Sequence, residues 1–198
     1  MELKERFRTY KEMTNILDEH GIPFLVGGGI AVMSYCNRRP TKDIDLYIEP
    51  DKKTAALEAL RENGYDINEM DEVHWISKAY KKGLIIDFIL ENVGGVITTA
   101  DTIRHGKKRD IFGYEFNVMS PEDLILRKIL AMRSTRNDWY DAIVVLWNTY
   151  EAMDWDYFLS IIGEHYERAL SFLLYVRSDN EHIIPIPDYV VSTLIKKM

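Results

Sequence analysis

Two aspartates one residue apart stand in the alternating stretch Asp43-Ile44-Asp45-Leu46-Tyr47-Ile48. In a strand, residues i and i+2 face the same side, so the two carboxylates project together at a Cα spacing of roughly 6.5–7 Å, while Ile44 and Leu46 face an apolar interior. Parallel carboxylates repel unless a cation joins them. Hard oxygen donors so arranged suit Mg²⁺, which keeps several waters and shares itself with phosphates. A third carboxylate, Asp87, interrupts the apolar run from Leu84 to Leu90. An unpaired charge there faces a desolvation cost on the order of several kcal/mol. On a strand beside Asp43 and Asp45 it completes a three-carboxylate site able to hold one or two divalent ions, or one ion and an attacking hydroxyl. The competing reading is a salt-bridge cluster with the neighbouring Arg38, Arg39 and Lys42. It explains neither the acid inside an apolar run nor the glycines that precede the first pair.

Those glycines are Gly27-Gly28-Gly29, between the apolar Phe24-Leu25-Val26 and a helical stretch from Ile30 to Tyr35. Strand, glycine turn and helix form a phosphate-binding arrangement, because the missing side chains let backbone N–H groups approach an anion at the helix N-terminus. No Gly-Lys-Ser/Thr follows, so this is not a Walker A loop, and the spacing is not GxGxxG. The turn gains meaning from the acidic strand some fourteen residues on.

The elements that must position these residues follow from periodicity. Leu3, Phe7, Tyr10, Met13, Ile16 and Leu17 lie at helical spacing, and Gly21 and Pro23 end that helix. Pro50-Asp51 opens a helix reaching about Glu62, Val73–Tyr80 reads as an edge strand, 84–90 as a buried strand, and 91–110 as a polar, glycine-containing loop. A last strand covers Tyr114 to Val118, and Ser120-Pro121-Glu122-Asp123 caps a new helix. Helices are predicted at 121–134, 138–150, 154–163 and 164–177, before a tail carrying Pro185 and Pro187 and a final helical turn or two. Strands and helices alternate first and helices follow, so the fold class is α/β (α+β): a mixed β-sheet flanked by helices, then a helical C-terminal domain. The predicted domains are 1–119 and 120–198.

Composition bounds the setting. At 198 residues with 46% apolar and 29% charged residues, the chain reads as globular, and no apolar run reaches the roughly 20 residues that span a bilayer. The charged, helix-periodic N-terminus is not read as a signal peptide, and a single cysteine, Cys36, excludes an internal disulfide. A cytoplasmic location with no membrane partner is expected. The net charge of −7 argues against a broad nucleic-acid-coating surface.

With these residues in hand, VGGGIAV (26–32) followed by RRPTKDIDLYI (38–48) resembles the signature of the DNA polymerase β-type nucleotidyltransferase superfamily. That signature is a Gly-Gly or Gly-Ser turn, a short helix and Asp-hydrophobic-Asp on a strand, with a third carboxylate on a later apolar strand, the position matched by Asp87. The set from Arg39 and Thr41 to Leu46 is similar to a small bacterial and archaeal branch. That branch includes lincosamide nucleotidyltransferases and the nucleotidyltransferase toxins of abortive-infection systems. SPEDLILRKILAMR (120–133), with Lys128, and NDWYDAIVVL (137–146) resemble it too, although Asn137 stands where many relatives have lysine. The resemblance runs from about residue 22 to 147.

It implies transfer of a nucleoside monophosphate from a nucleoside triphosphate, ATP among them, to a hydroxyl, with release of pyrophosphate. Asp43 and Asp45 would hold Mg²⁺ on the triphosphate, and Asp87 would bind a second ion or act as general base. Gly28, Gly29, Arg39, Thr41 and Lys128 would contact the nucleotide. The acceptor, a small molecule, a tRNA or a protein side chain, is left open. A different class of function is a catalytically silent nucleotide-binding regulatory module with a protein partner, or one member of a toxin–antitoxin pair.

Several features have plainer readings. Lys128 suits the solvated face of an amphipathic helix as well as a triphosphate. The run Arg104–Arg109 suits a solvated charged loop as well as a polyanion. Asp138 and Asp141, spaced i, i+3, suit a helix cap or a hydrogen-bonded pair. Trp139, Trp147 and Trp155 suit packing better than base stacking.

Overall fold

The computed structural model describes residues 2–36, 41, 43–68, 73–133, 138–178 and 184–198. Arg38, Arg39, Lys42 and Asn137 lie outside the described residues. The chain divides into two compact units, Met1–Ser120 and Pro121–Met198.

The first unit opens with α1 (Leu3–Glu19), whose stripe Phe7, Tyr10, Met13 and Leu17 is at most 1% exposed. Each such side chain contributes about 1.5–3 kcal/mol on burial. The helix stops at Gly21, which takes φ +65°, while Ile22 N–H donates to Leu17 O at 2.9 Å, the six-to-one bond of a glycine-terminated helix. Then come β1 (Phe24–Val26), α2 (Gly28–Tyr35), β2 (Ile44–Ile48), α3 (Lys53–Glu62) and β3 (Asp66–Asn68). They are followed by β4 (Ile76–Lys81), β5 (Leu84–Ile89), β6 (Glu91–Asn92), β7 (Val96–Ile97), α4 (Ala100–His105), β8 (Lys107–Ile111) and β9 (Tyr114–Val118).

Seven strands form one mixed sheet in the order β3-β4-β5-β2-β1-β9-β8, and β6 and β7 form a separate hairpin. β2 runs parallel to β5 and β1 parallel to β9, while the remaining neighbours are antiparallel. Two sequence expectations are corrected here. β4 is no edge strand, since β3 pairs its other side. The span 91–110 is not a loop: it holds the hairpin, α4 and β8, with α4 started by a Thr99/Thr102 capping box. Its pieces are two to six residues long, too short to show a period.

The second unit is helical: α5 (Pro121–Ala131), α6 (Asp138–Thr149), α7 (Trp155–Ile161), α8 (Tyr166–Ser178) and α9 (Asp188–Ile195). Within it Glu122 Oε1 accepts the Asp154 N–H at 2.8 Å, and Asp123 Oδ2 accepts the Tyr157 hydroxyl at 2.7 Å, so these two buried acids are satisfied. Trp139 meets the rings of Phe172 and Tyr175 edge-on, as expected of a packing residue. Among the described residues no helix is long and apolar enough to cross a membrane.

Candidate functional site

The parallel ladder between β2 and β5 pairs Ile44 with Ile86, Asp45 with Asp87, Leu46 with Phe88, and Tyr47 with Ile89. Paired residues share a face, so Ile44, Leu46, Ile86 and Phe88, all at most 1% exposed, lie on the core side. Asp45 and Asp87 stand side by side on the other side, on strands separated by about 4.8 Å. Each is half-buried. Asp43, also half-buried, sits in the bend just before β2. Sequence distance between the two acidic segments is thus cancelled by the parallel pairing.

The glycine turn closes over this pair. Gly27 N–H donates to Asp45 O at 2.9 Å, continuing the β1–β2 pairing by one residue. A Cβ at Gly28 would lie 1.7 Å from Asp45 Oδ2, and its φ of +53° is one that L side chains rarely adopt, so both space and backbone require glycine. A Cβ at Gly27 would sit 2.1 Å from the Tyr47 ring, and one at Gly29 3.1 Å from the Thr41 side chain. The glycines are therefore the surface on which Asp45, Tyr47 and Thr41 rest. The first helical bond, Ala31 N–H to Gly27 O at 3.0 Å, fixes α2 so that its leading N–H groups emerge beside Asp45.

Three residues not read as site residues in the sequence belong here. Lys78 is the cross-strand partner of Asp87 on β4, and its Nζ lies 2.5 Å from Asp87 Oδ1. The acid that interrupts the apolar run is thus matched by a lysine. Arg6 on α1 donates from Nη1 to Thr41 O at 2.6 Å, tying Thr41 to the helix, and its Nε is buried with no hydrogen-bond partner among the described residues. Tyr10 is fully buried, and its pKa is pushed up to about 12 by burial. Arg6 opposes that rise, whereas Asp43 and Asp45 add to it. A phenol in the apolar stripe of α1, and a lysine on a strand adjoining the third acid, were the available signals.

Among the described residues no group of three or more His, Cys, Asp or Glu is gathered closely enough to hold a metal ion. The donor chemistry nevertheless fits a hard divalent cation in type: oxygen ligands only, two of them in register, and a cationic group already resting on Asp87. Asp43, Asp45 and Asp87 are the residues that would hold one.

A family model described as "Nucleotidyl transferase of unknown function (DUF2204)" matches residues 6–198. The chain belongs to this nucleotidyl transferase family. No curated protein matches it. Among solved structures, the solution structure of the antibiotic-resistance factor ANT(2'')-Ia is similar at a TM-score of 0.57 and 15% identity, covering 88% of this chain and 97% of that one. The crystal structure of ANT(2'')-Ia with adenylyl-2''-tobramycin gives 0.56 and 14%, covering 86% and 98%. An antigenic nucleotidyltransferase-like protein from Paracoccidioides brasiliensis gives 0.57 and 16%, covering 94% and 89%. At these identities the likeness is one of fold alone.

The other sequence candidates are each held within their own unit. Lys128, in the second unit, is only 12% exposed and donates to Asp138 Oδ1 at 2.8 Å and Asp141 Oδ2 at 3.0 Å. It is not on a solvated face. Burial on its own would lower its pKa, but the hydrogen bonds and charges of Asp138 and then Asp141 prevail, and the pKa is raised. Of the run Arg104–Arg109, Arg104 pairs with Asp101, Lys108 with Glu115 at 2.9 Å, and Arg109 donates to Ser34 O at 2.8 Å while lying over the Tyr35 ring. Arg39 lies outside the described residues.

Proposed function

We propose that this chain transfers a nucleoside monophosphate from a nucleoside triphosphate to a hydroxyl, releasing pyrophosphate. The observation that carries the reading is the in-register pair Asp45 and Asp87 on one sheet face, beneath a glycine turn whose Gly28 has room for no side chain. The acceptor oxygen forms a bond to the α-phosphorus as the bond from that phosphorus to the β-phosphate oxygen breaks. Chemistry of this kind depends on positioning and on neutralising charge over the phosphates.

In this reading the N–H groups at the start of α2 take phosphate oxygens, and Gly28, Gly29 and Thr41 shape that contact. Asp43, Asp45 and Asp87 would hold Mg²⁺, which would supply the positive charge that a triphosphate and its leaving pyrophosphate require. Arg6 holds Thr41, and with it the approach to Asp43, in place. Asp87 either ligates a second ion or receives the hydroxyl proton. A small hydroxylated acceptor is the first to test, because ANT(2'')-Ia of the same fold is described with adenylyl-2''-tobramycin. tRNA and protein acceptors are the other classes.

The Lys78–Asp87 ion pair favours one second reading, a nucleotide-binding regulatory module, alone or in a toxin–antitoxin pair, in which Asp87 stays engaged and turnover is absent. One experiment separates the two. The purified protein is incubated with each labelled nucleoside triphosphate, Mg²⁺, and aminoglycoside, lincosamide, tRNA and cell-extract acceptors, beside Asp45→Ala. The enzyme reading expects label on one acceptor with pyrophosphate release. Asp45→Ala should lower that transfer on the order of 10²–10³-fold, the scale for losing one preorganised electrostatic contact. Nucleotide binding without labelling of any acceptor supports the module. Absence of nucleotide binding overturns both.

A further inference from the structure

Asp45, Asp87 and Lys78 lie in one row across three adjacent strands, β2, β5 and β4, because each is the direct partner of the next. The row places one ammonium against two carboxylates. Side chains at paired positions share a face, so Lys78 reaches Asp87 without leaving the acidic side of the sheet. The pair is partly screened from water, with Lys78 25% and Asp87 16% exposed, and it is a charge-assisted hydrogen bond at 2.5 Å. Ser77 and Ala79, on either side of Lys78, pair with Phe88 and Ile86 on the core face, so the register leaves Lys78 no other direction.

We propose that Lys78 is the resident counter-ion of Asp87, and that a divalent cation gains Asp87 as a ligand only by displacing the Lys78 ammonium. This deepens the reading above and rests on it. Two positive charges do not share one carboxylate at low cost, so cation entry and Lys78 release are a single exchange. Lys78 holds the third carboxylate in place while no cation is bound and weakens cation binding by the strength of the bond it must give up. The ammonium, once released, remains on the face where the triphosphate carries its negative charge.

The test is binding of Mn²⁺, in the presence of a non-hydrolysable ATP analogue, followed by electron paramagnetic resonance. It compares the full chain with Lys78→Met, Lys78→Gln, Lys78→Arg and Asp45→Ala, with circular dichroism to show that each is folded. Lys78→Gln keeps a hydrogen-bond donor, so the measurement survives if the methionine variant does not fold. The exchange predicts Mn²⁺ binding about tenfold tighter in the uncharged variants, the equivalent of losing one charge-assisted hydrogen bond as competitor. Lys78→Arg should stay near the parent. Equal or weaker binding in the uncharged variants, with binding lost in Asp45→Ala, overturns the exchange and leaves the metal site standing. If neither the parent nor any variant binds Mn²⁺ above background, the exchange and the metal site both fall.

Discussion

Two lysines in this molecule meet carboxylates, and they do so on different terms. Lys128 is 12% exposed and divided between Asp138 and Asp141, which are 4% and 16% exposed. Lys78 is 25% exposed and, among the described residues, pairs only with Asp87, with Asp45 next in the row. In the helical unit two negative charges flank one positive charge, and each accepts a hydrogen bond from it. In the sheet unit one bond joins groups that still have solvent on one side. A cation saturated by two acids is part of the fabric of its unit. A cation holding one acid, beside others of the same sign, is available for exchange.

The largest test of that contrast is Lys128→Met. It removes the ammonium that two largely buried carboxylates share, and urea unfolding should register a loss of about 3–5 kcal/mol. Gly28→Ala should come next, at about 2–3 kcal/mol in the same assay, because the new methyl collides with Asp45 and the backbone is held at positive φ. It should also abolish nucleotide binding, and a well-folded Gly28→Ala protein with unchanged binding would remove the turn from the site. Lys78→Met should cost only about 1 kcal/mol, since its pair is more open to water. A cost equal to that of Lys128→Met would erase the distinction between fabric and exchange.

The smallest effect is one of pH. The folded pKa of Lys128 is raised above its ordinary 10.5, so its contribution is complete below that value and lost as the pH climbs through the folded pKa. Unfolding midpoints measured on the alkaline side should fall for the parent. The fall should be shallower in Asp138→Asn/Asp141→Asn, which lacks the acids that raise the pKa.

Much of the sheet unit was legible in the chain itself. Period-two alternation in 43–48, the apolar run around Asp87 and the glycine triplet identify β2, β5 and the start of α2, since each signal is local. What alternation does not carry is order across a sheet. That β4 is internal, and that Lys78 faces Asp87, depend on register between strands. The short β3 and the four small elements of 91–110 lack enough residues to show any period. The long helices of the second unit were legible to within a few residues, α6 and α8 most closely. The two acids on Lys128 were not assigned to it, because a lysine within an amphipathic stripe looks the same whether water or carboxylates await it. Of the site, the acidic residues could be named from sequence, whereas their cation and the α1 residues beneath them needed the fold.

Gly27 rests against the ring of Tyr47, with room for not even one methyl group between them. Its φ is negative, at −119°, so it is the ring and not a left-handed backbone that excludes a side chain there. In evolutionary terms positions 27 and 47 are one character and not two. A relative with a side chain at the first must have shrunk or moved the aromatic at the second. An alignment scored column by column would count as two independent losses what is a single exchange of volume across the floor of the site.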